Sequence, residues 1–169
     1  MTISLYAASV PVFEQMLKSL STILTKAEAH ATAKKIEPSA LLDARLYPDM
    51  FPLTLQVRVA CDFARGVSAR LAGIEVPKID DEVTGFADLQ KLIDTSVAFI
   101  EGINAAHIDG KEDSEIVLRP GTSNERRMSG QSYLLSYGLP QFFFHVTTAY
   151  AILRHNGVEI GKRDFIGPR

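Results

Sequence analysis

The sequence predicts an all-α protein, a four-helix bundle with a small β-hairpin inserted before the last helix. Three observations carry that prediction. Four long stretches repeat apolar residues at steps of three and four, the spacing of a helix with one buried face. No strands alternate with those stretches, so a parallel α/β sheet is excluded. Glu115 to Leu118 is β-prone, Pro120 to Asn124 is turn chemistry, and Glu125 to Met128 can return beside it.

Taken in order, Val12, Phe13, Met16, Leu17, Leu20, Ile23, Leu24 and Ala27 define the first long helix. Pro11 suits its opening turn, and it ends near Lys34. After the break at Glu37-Pro38-Ser39, Ala40 to Leu46 predicts a short helix. Asp49 then stands as an N-cap for the second long helix, whose buried face is Leu53, Val57, Ala60, Ala64, Val67 and Leu71. Gln56 lies at the edge of that face, while Arg58, Asp62, Arg65 and Ser68 point away from it. Gly73 ends the helix.

The connection from Gly73 to Thr84 holds Pro77 and several acids. Its roughly 12 residues reach about 40 Å when extended, at 3.3–3.6 Å each. A 20-residue helix is only about 30 Å long. The connection therefore permits a crossover that leaves the second and third long helices parallel. The third helix runs from Gly85 to Ala105, with Phe86, Leu89, Leu92, Ile93, Val97, Ile100 and Ile103 as its stripe. His107 to Asp113 reads as loop and leads into the hairpin. Ser132 to Tyr137 begins a helical turn that Gly138-Leu139-Pro140 is expected to interrupt. In the tail after Gly157, Ile160, Phe165 and Ile166 should fold back on the bundle, because leaving them in water gains nothing.

The last helix, from Leu139 to His155, carries the only hint of chemistry. Pro140 suits a first helical turn, and Asn156-Gly157 supplies a left-handed end. Phe142, Val146, Ala149 and Leu153 share a face. Gln141 and His145, four residues apart, flank that stripe and are neighbours on the helix surface. Bundles build their sites from side chains that project inward on facing helices, and Gln56 occupies a comparable flank on the second long helix. Three readings of His145 follow. It is a core-edge histidine bonded to Gln56 or Gln141, or part of a metal-free ligand pocket, or a metal ligand. A zinc or nickel centre wants about three imidazole or carboxylate ligands, and amide oxygens are weak donors to those metals.

Composition narrows the function classes. The chain has 169 residues, enough for one domain spanning 1–169, with a 46% apolar and 22% charged share typical of a soluble globular protein. A net charge of −2 argues against a nucleic-acid footprint. The lone cysteine, Cys61, excludes an intrachain disulfide or a thiolate cluster, and its apolar neighbours suggest a buried small hydrophobe. Met1 to Tyr6 lacks the basic region and apolar run of a signal peptide, and no apolar run has the length of a membrane span. A cytoplasmic protein is expected. Gly157 to Arg163 fails as a phosphate loop, since it follows a helix, has the wrong spacing and lacks Ser or Thr after Lys162.

Two blocks carry a resemblance to a known family. Leu46-Tyr47-Pro48-Asp49-Met50-Phe51-Pro52-Leu53 is the first. The second is Phe144-His145 through Ala149-Tyr150-Ala151-Ile152-Leu153-Arg154, with Gly157 and Gly161-Lys162-Arg163-Asp164-Phe165. Over nearly its whole length the chain resembles a branch of the DinB/YfiT-like superfamily that is a domain of unknown function. The resemblance implies an up-down-down-up four-helix bundle and often a dimer. It also implies, for many members, a divalent metal held by one histidine of the second long helix and an i, i+4 pair on the last. Some members are thiol-dependent transferases, hydrolases or isomerases. Only His145 matches such a ligand, with Gln141 and Gln56 standing where the others are expected. In that topology Gln56 and His145 meet if the last helix begins upstream, near Ser129 to Ser132, with a kink at Gly138 to Pro140.

The expected function is a metal-free ligand-binding or interaction module, with His145, Gln141, Gln56 and Asp49 as candidate ligand-binding residues. The alternative is a divalent-metal- or thiol-dependent enzyme with a degenerate site of Gln56, Gln141 and His145, completed by Asp49. Phe143 and Phe144 lie off the main stripe, so a homodimer through that face is expected. The competing explanation is that the hairpin and tail cover both rings within one chain.

Overall fold

The computed structural model describes residues 3–79 and 83–168. The acidic centre of the expected crossover, 80–82, and the first two residues of the amino terminus lie outside the described residues. Helix α1 spans Val10–Lys34 with Pro11 in its first turn, and buries Val10, Phe13, Leu17, Leu20, Leu24 and Ala27 along one side. It stops at Lys35, which turns left-handed (φ 56°) so that the Lys35 and Ile36 N–H groups close onto the Thr32 and Ala31 carbonyls. Helix α2 spans Pro38–Leu42, starting two residues before the expected Ala40 and ending well short of Leu46. The shift has a simple cause: proline is preorganised for the first helical position.

Helix α3 spans Leu53–Ala72 and ends at Gly73 (φ 70°). The expected N-cap does not form. Pro52 occupies the cap position without a side-chain bond, and Asp49 lies exposed three residues upstream. Pro52 is extended (ψ 165°), which places the first turn too far along the chain for the Asp49 carboxylate to cap it. Helix α4 spans Phe86–Glu101, and Asp88 Oδ2 accepts from the Thr84 and Gly85 N–H groups at its start. Those bonds, with one from the Thr84 hydroxyl, hold the Asp88 carboxyl below the usual carboxylate range.

The crossover is visible in one contact. Arg58 donates to the Ile79 carbonyl at 3.4 Å, so the connection leaving Gly73 has run back to the beginning of α3 before α4 starts. Helices α3 and α4 are therefore parallel. Helices α1 and α4 are antiparallel, since Lys18 meets Glu101 while Ser21 and Thr25 meet Gln90.

The hairpin pairs β1 (Glu115–Leu118) with β2 (Arg126–Ser129), Ile116 opposite Met128. Ile116 turns into the core. The chain then enters α5 (Gly130–Ser132), a π-helical turn (Tyr133–Gly138) and α6 (Leu139–His155) without a break. The expected interruption at Gly138 to Pro140 is instead a widening. Pro140 has no N–H for a bond one α turn back, and the Leu139 N–H reaches the Leu134 carbonyl, the wider π spacing. Gly138 sits so close to α3 that an added Cβ would lie 2.8 Å from Val67 Cγ2. Facing α6 and its upstream turns, α3 meets Tyr133 through Arg70 and His145 through Gln56, which makes the pair antiparallel. The long helices α1, α3, α4 and α6 thus run up, down, down, up.

Gly157 (φ 88°) ends α6, and Val158 and Ile160 are buried. Helix α7 (Lys162–Ile166) returns along α1, with Phe165 edge-on to Tyr150 at 5.7 Å and Lys26 paired to Asp164 at 2.6 Å. The tail folds back as expected. Among the described residues no helix is long and apolar enough to cross a membrane.

Candidate functional site

Two of the expected site residues come together. Gln56, in the first turns of α3, and His145, in α6, are joined by a 2.7 Å bond between Gln56 Oε1 and His145 Nδ1. The upstream start of the last helix makes this meeting possible. The Gln56 amide is itself oriented, because its Nε2 donates to the Phe51 carbonyl at 3.1 Å. Its Oε1 is therefore the atom facing the imidazole. An amide oxygen only accepts, so His145 Nδ1 carries the proton and Nε2 keeps its lone pair.

Aromatic rings surround this imidazole. Phe51 and Phe63 lie nearly parallel to it, with centroids at 6.5 and 5.9 Å, and Phe144 meets it edge-on at 5.2 Å. His145 is 7% exposed and Gln56 1%. Among the described residues, the fully buried side-chain polar atoms without a partner are Arg65 Nε and Ser68 Oγ, so His145 Nε2 reaches the surface of the collar. Burial among these rings lowers the imidazole pKa below its ordinary value. The arrangement presents a neutral hydrogen-bond acceptor, or a weak base, inside an apolar collar.

A pH dependence follows. The unfolded chain takes up a proton at the ordinary histidine value, about 6.5, while folded His145 resists it until lower pH. Between those values the unfolded state binds more protons, so stability rises with pH. The contribution is complete above about pH 6.5 and lost as pH falls toward the lowered folded value. Thermal melts across that range should show the slope in the parent and a flatter profile in His145→Gln. An unchanged slope in the variant would assign the effect elsewhere.

The other expected residues lie apart. Gln141 makes no bond to His145 and instead lines a cavity under the hairpin with Asn124 and Arg126. Asp49 is exposed in the loop before α3. Among the described residues no three His, Cys, Asp or Glu side chains gather as a metal cluster would. A single imidazole, with amides at Gln56 and Gln141 in place of further ligands, does not fit a three-histidine centre. Cys61 is fully buried, and burial pushes its thiol up to about 12, so it stays protonated at neutral pH.

Arg65 and Ser68 were expected to face away from the core, and both are buried. Helix α3 is covered on two sides, by α6 and by α4, so its burial exceeds a single stripe. Arg65 donates to Ser96 Oγ of α4 at 2.5 Å and to Asp62 Oδ1 at 2.5 Å. The sequence argument placed Phe144 off the main stripe but missed the collar that it forms with Phe51 and Phe63. Its one signal was spacing: Phe63 lies seven residues after Gln56, two helical turns along the same face.

The comparisons with known proteins agree with this architecture. The family described as Domain of unknown function (DUF1993) matches residues 5–166. The crystal structure of a DinB family member protein from Shewanella denitrificans superposes with a TM-score of 0.91 at 40% identity. That match covers 98% of this chain and 93% of the other. No curated protein matches the chain. The chain belongs to the DUF1993 family, on a DinB-like helical bundle.

Proposed function

We propose that this chain is a metal-free ligand-binding module whose ligand donates a hydrogen bond to His145 Nε2 within the Phe51, Phe63 and Phe144 collar. The observation that carries this reading is the Gln56–His145 bond at 2.7 Å, which fixes the tautomer and leaves Nε2 as acceptor. A carboxylate or second imidazole in place of Gln56 would favour a cation; a neutral amide held by the Phe51 carbonyl does not. The rival, a metal- or thiol-dependent enzyme with a degenerate site, would need Gln141 and Asp49 beside His145.

Dialysis against zinc and nickel followed by elemental analysis tests the reading. Substoichiometric metal, equal in the parent and His145→Ala, is the expected result. Stoichiometric metal that His145→Ala abolishes would overturn it.

The same face serves, on this reading, as a homodimer contact. Phe144 is 54% exposed and Phe51 46%, both against His145, while Phe143 is half-buried against Phe142. Fully burying an exposed phenylalanine contributes roughly 1.5–3 kcal/mol. An isologous contact uses each such ring twice. Light scattering at micromolar concentration should report a dimer that Phe144→Ser weakens. A monomeric parent would refute the dimer, and a dimer indifferent to Phe144→Ser would exclude this face.

A further inference from the structure

A second cavity lies farther along the α3–α6 seam, on residues outside the His145 collar apart from the shared Phe63 ring. It has a volume of about 240 Å³ and is walled by Phe63, Tyr133 and Tyr137, with Arg70, Arg119 and Asp62 around them. The ring wall is continuous. Tyr137 stacks on Tyr133 at 5.8 Å and meets Phe63 at 6.0 Å. A neighbouring cavity shares Leu118, Arg119 and Tyr137 and adds Arg126 and Gln141.

Charge at this place is unbalanced. Asp62, the carboxylate of the wall, is already bonded to buried Arg65. Arg70 is aimed by its bonds to the Gly66 carbonyl and the Tyr133 hydroxyl. Arg119 and Arg126 meet no carboxylate among the described residues, although Arg127 beside them takes both Glu115 and Glu125. Arg119 is also held left-handed, with φ 51°, immediately before Pro120. That conformation is uncommon for a non-glycine residue. The hairpin thus brings a guanidinium without an acidic partner to an aromatic wall. Guanidinium forks match carboxylate oxygens two by two, and flat rings stack on tyrosine and phenylalanine faces.

We propose that the cavity between α3, the π-helical turn and the hairpin binds a small aromatic carboxylate, its ring against Tyr137 and Phe63 and its carboxylate between Arg70 and Arg119. The site shares the Phe63 ring with the His145 collar, but among the described residues Arg70, Arg119 and Tyr137 make no hydrogen bond or ring contact with Gln56 or His145, so its charged and tyrosine groups can be tested apart from that reading. A phosphate presents similar oxygens without the ring, and a neutral aromatic amide presents the ring without the charge.

Calorimetric titration of the full chain with benzoate, benzamide and inorganic phosphate separates these features. Benzoate should bind saturably at millimolar concentration, with both other probes weaker by about tenfold or more. Arg119→Gln and Tyr137→Leu should each weaken benzoate by about tenfold, whereas Arg154→Gln, at the far end of α6, should leave it unchanged. Arg119 is exposed, so its substitution leaves the core intact, and a melt of each variant checks folding. No saturable benzoate binding, benzamide binding as tightly as benzoate, or phosphate binding as tightly as benzoate would each overturn the proposal. So would an Arg119→Gln protein that melts and binds like the parent.

Discussion

Phe142→Ala is expected to lower the unfolding free energy by about 3–5 kcal/mol, the usual range for removing a fully buried phenylalanine. Phe142 is 0% exposed and closes the contact between α6 and α1, edge-on to Phe13 at 4.8 Å. It also supports Phe143 at 5.6 Å. Truncation removes all of these contacts together and leaves a space that four-helix packing cannot readily collapse. Urea unfolding should show a lower midpoint with an unchanged slope. A loss under about 1 kcal/mol would mean that the neighbouring helices close the gap, contrary to the rigid packing expected of such a core.

Arg65 gives the second large effect, through a different cause. It is the largest side chain with almost no exposure, 2%, and it links α3 to α4 through Ser96. Arg65→Ala should cost about 2–5 kcal/mol, as for other large side chains truncated in a core. Arg65→Met should cost far less, because it keeps most of the volume. Its ion-pair partner Asp62 has a side chain 51% exposed and returns to water without leaving a stranded charge. Replacing a buried ion pair by apolar volume is often neutral or stabilising. Arg65 Nε has no partner, so the methionine also removes a polar atom that burial leaves unsatisfied. Equal losses in the two variants would show that charge, and not volume, holds this position.

The contrast between these residues shows what the sequence made legible. Phe142 belongs to a stripe with steps of four and three, and such a stripe identifies one buried face without knowledge of neighbours. Arg65 sits off the corresponding stripe of α3, so one-face periodicity assigns it to water. Only the position of α4, set by the crossover, makes that second face an interior one. The crossover itself could be anticipated from the reach of the connection between Gly73 and Thr84. The Gln56–His145 pair was legible as two polar residues on facing flanks, given the topology. Gln141 was not, because i, i+4 spacing places it near His145 but says nothing of the hairpin that draws it into a cavity with Arg126. Asp49 misled for a local reason: its side chain suits a cap, while Phe51-Pro52 moved the helix start beyond its reach.

The π-helical turn at Tyr133–Gly138 has a consequence for helical phase. Over the dozen steps from Tyr133 to His145 an unbroken α-helix rotates through about 1,200°, which leaves the two side chains about 120° apart. A π turn contains about one residue more than the α turn it replaces, withdrawing roughly 100° of that rotation. Tyr133 and His145 are thereby brought to within about 20° of one meridian. Tyr133 can then meet Arg70 while His145 meets Gln56, both partners on α3. A single-residue deletion inside the turn, at exposed Ser136 for example, would leave eleven steps, about 1,100° at the ordinary α pitch, so the turn could revert to α-helix while both contacts still faced α3.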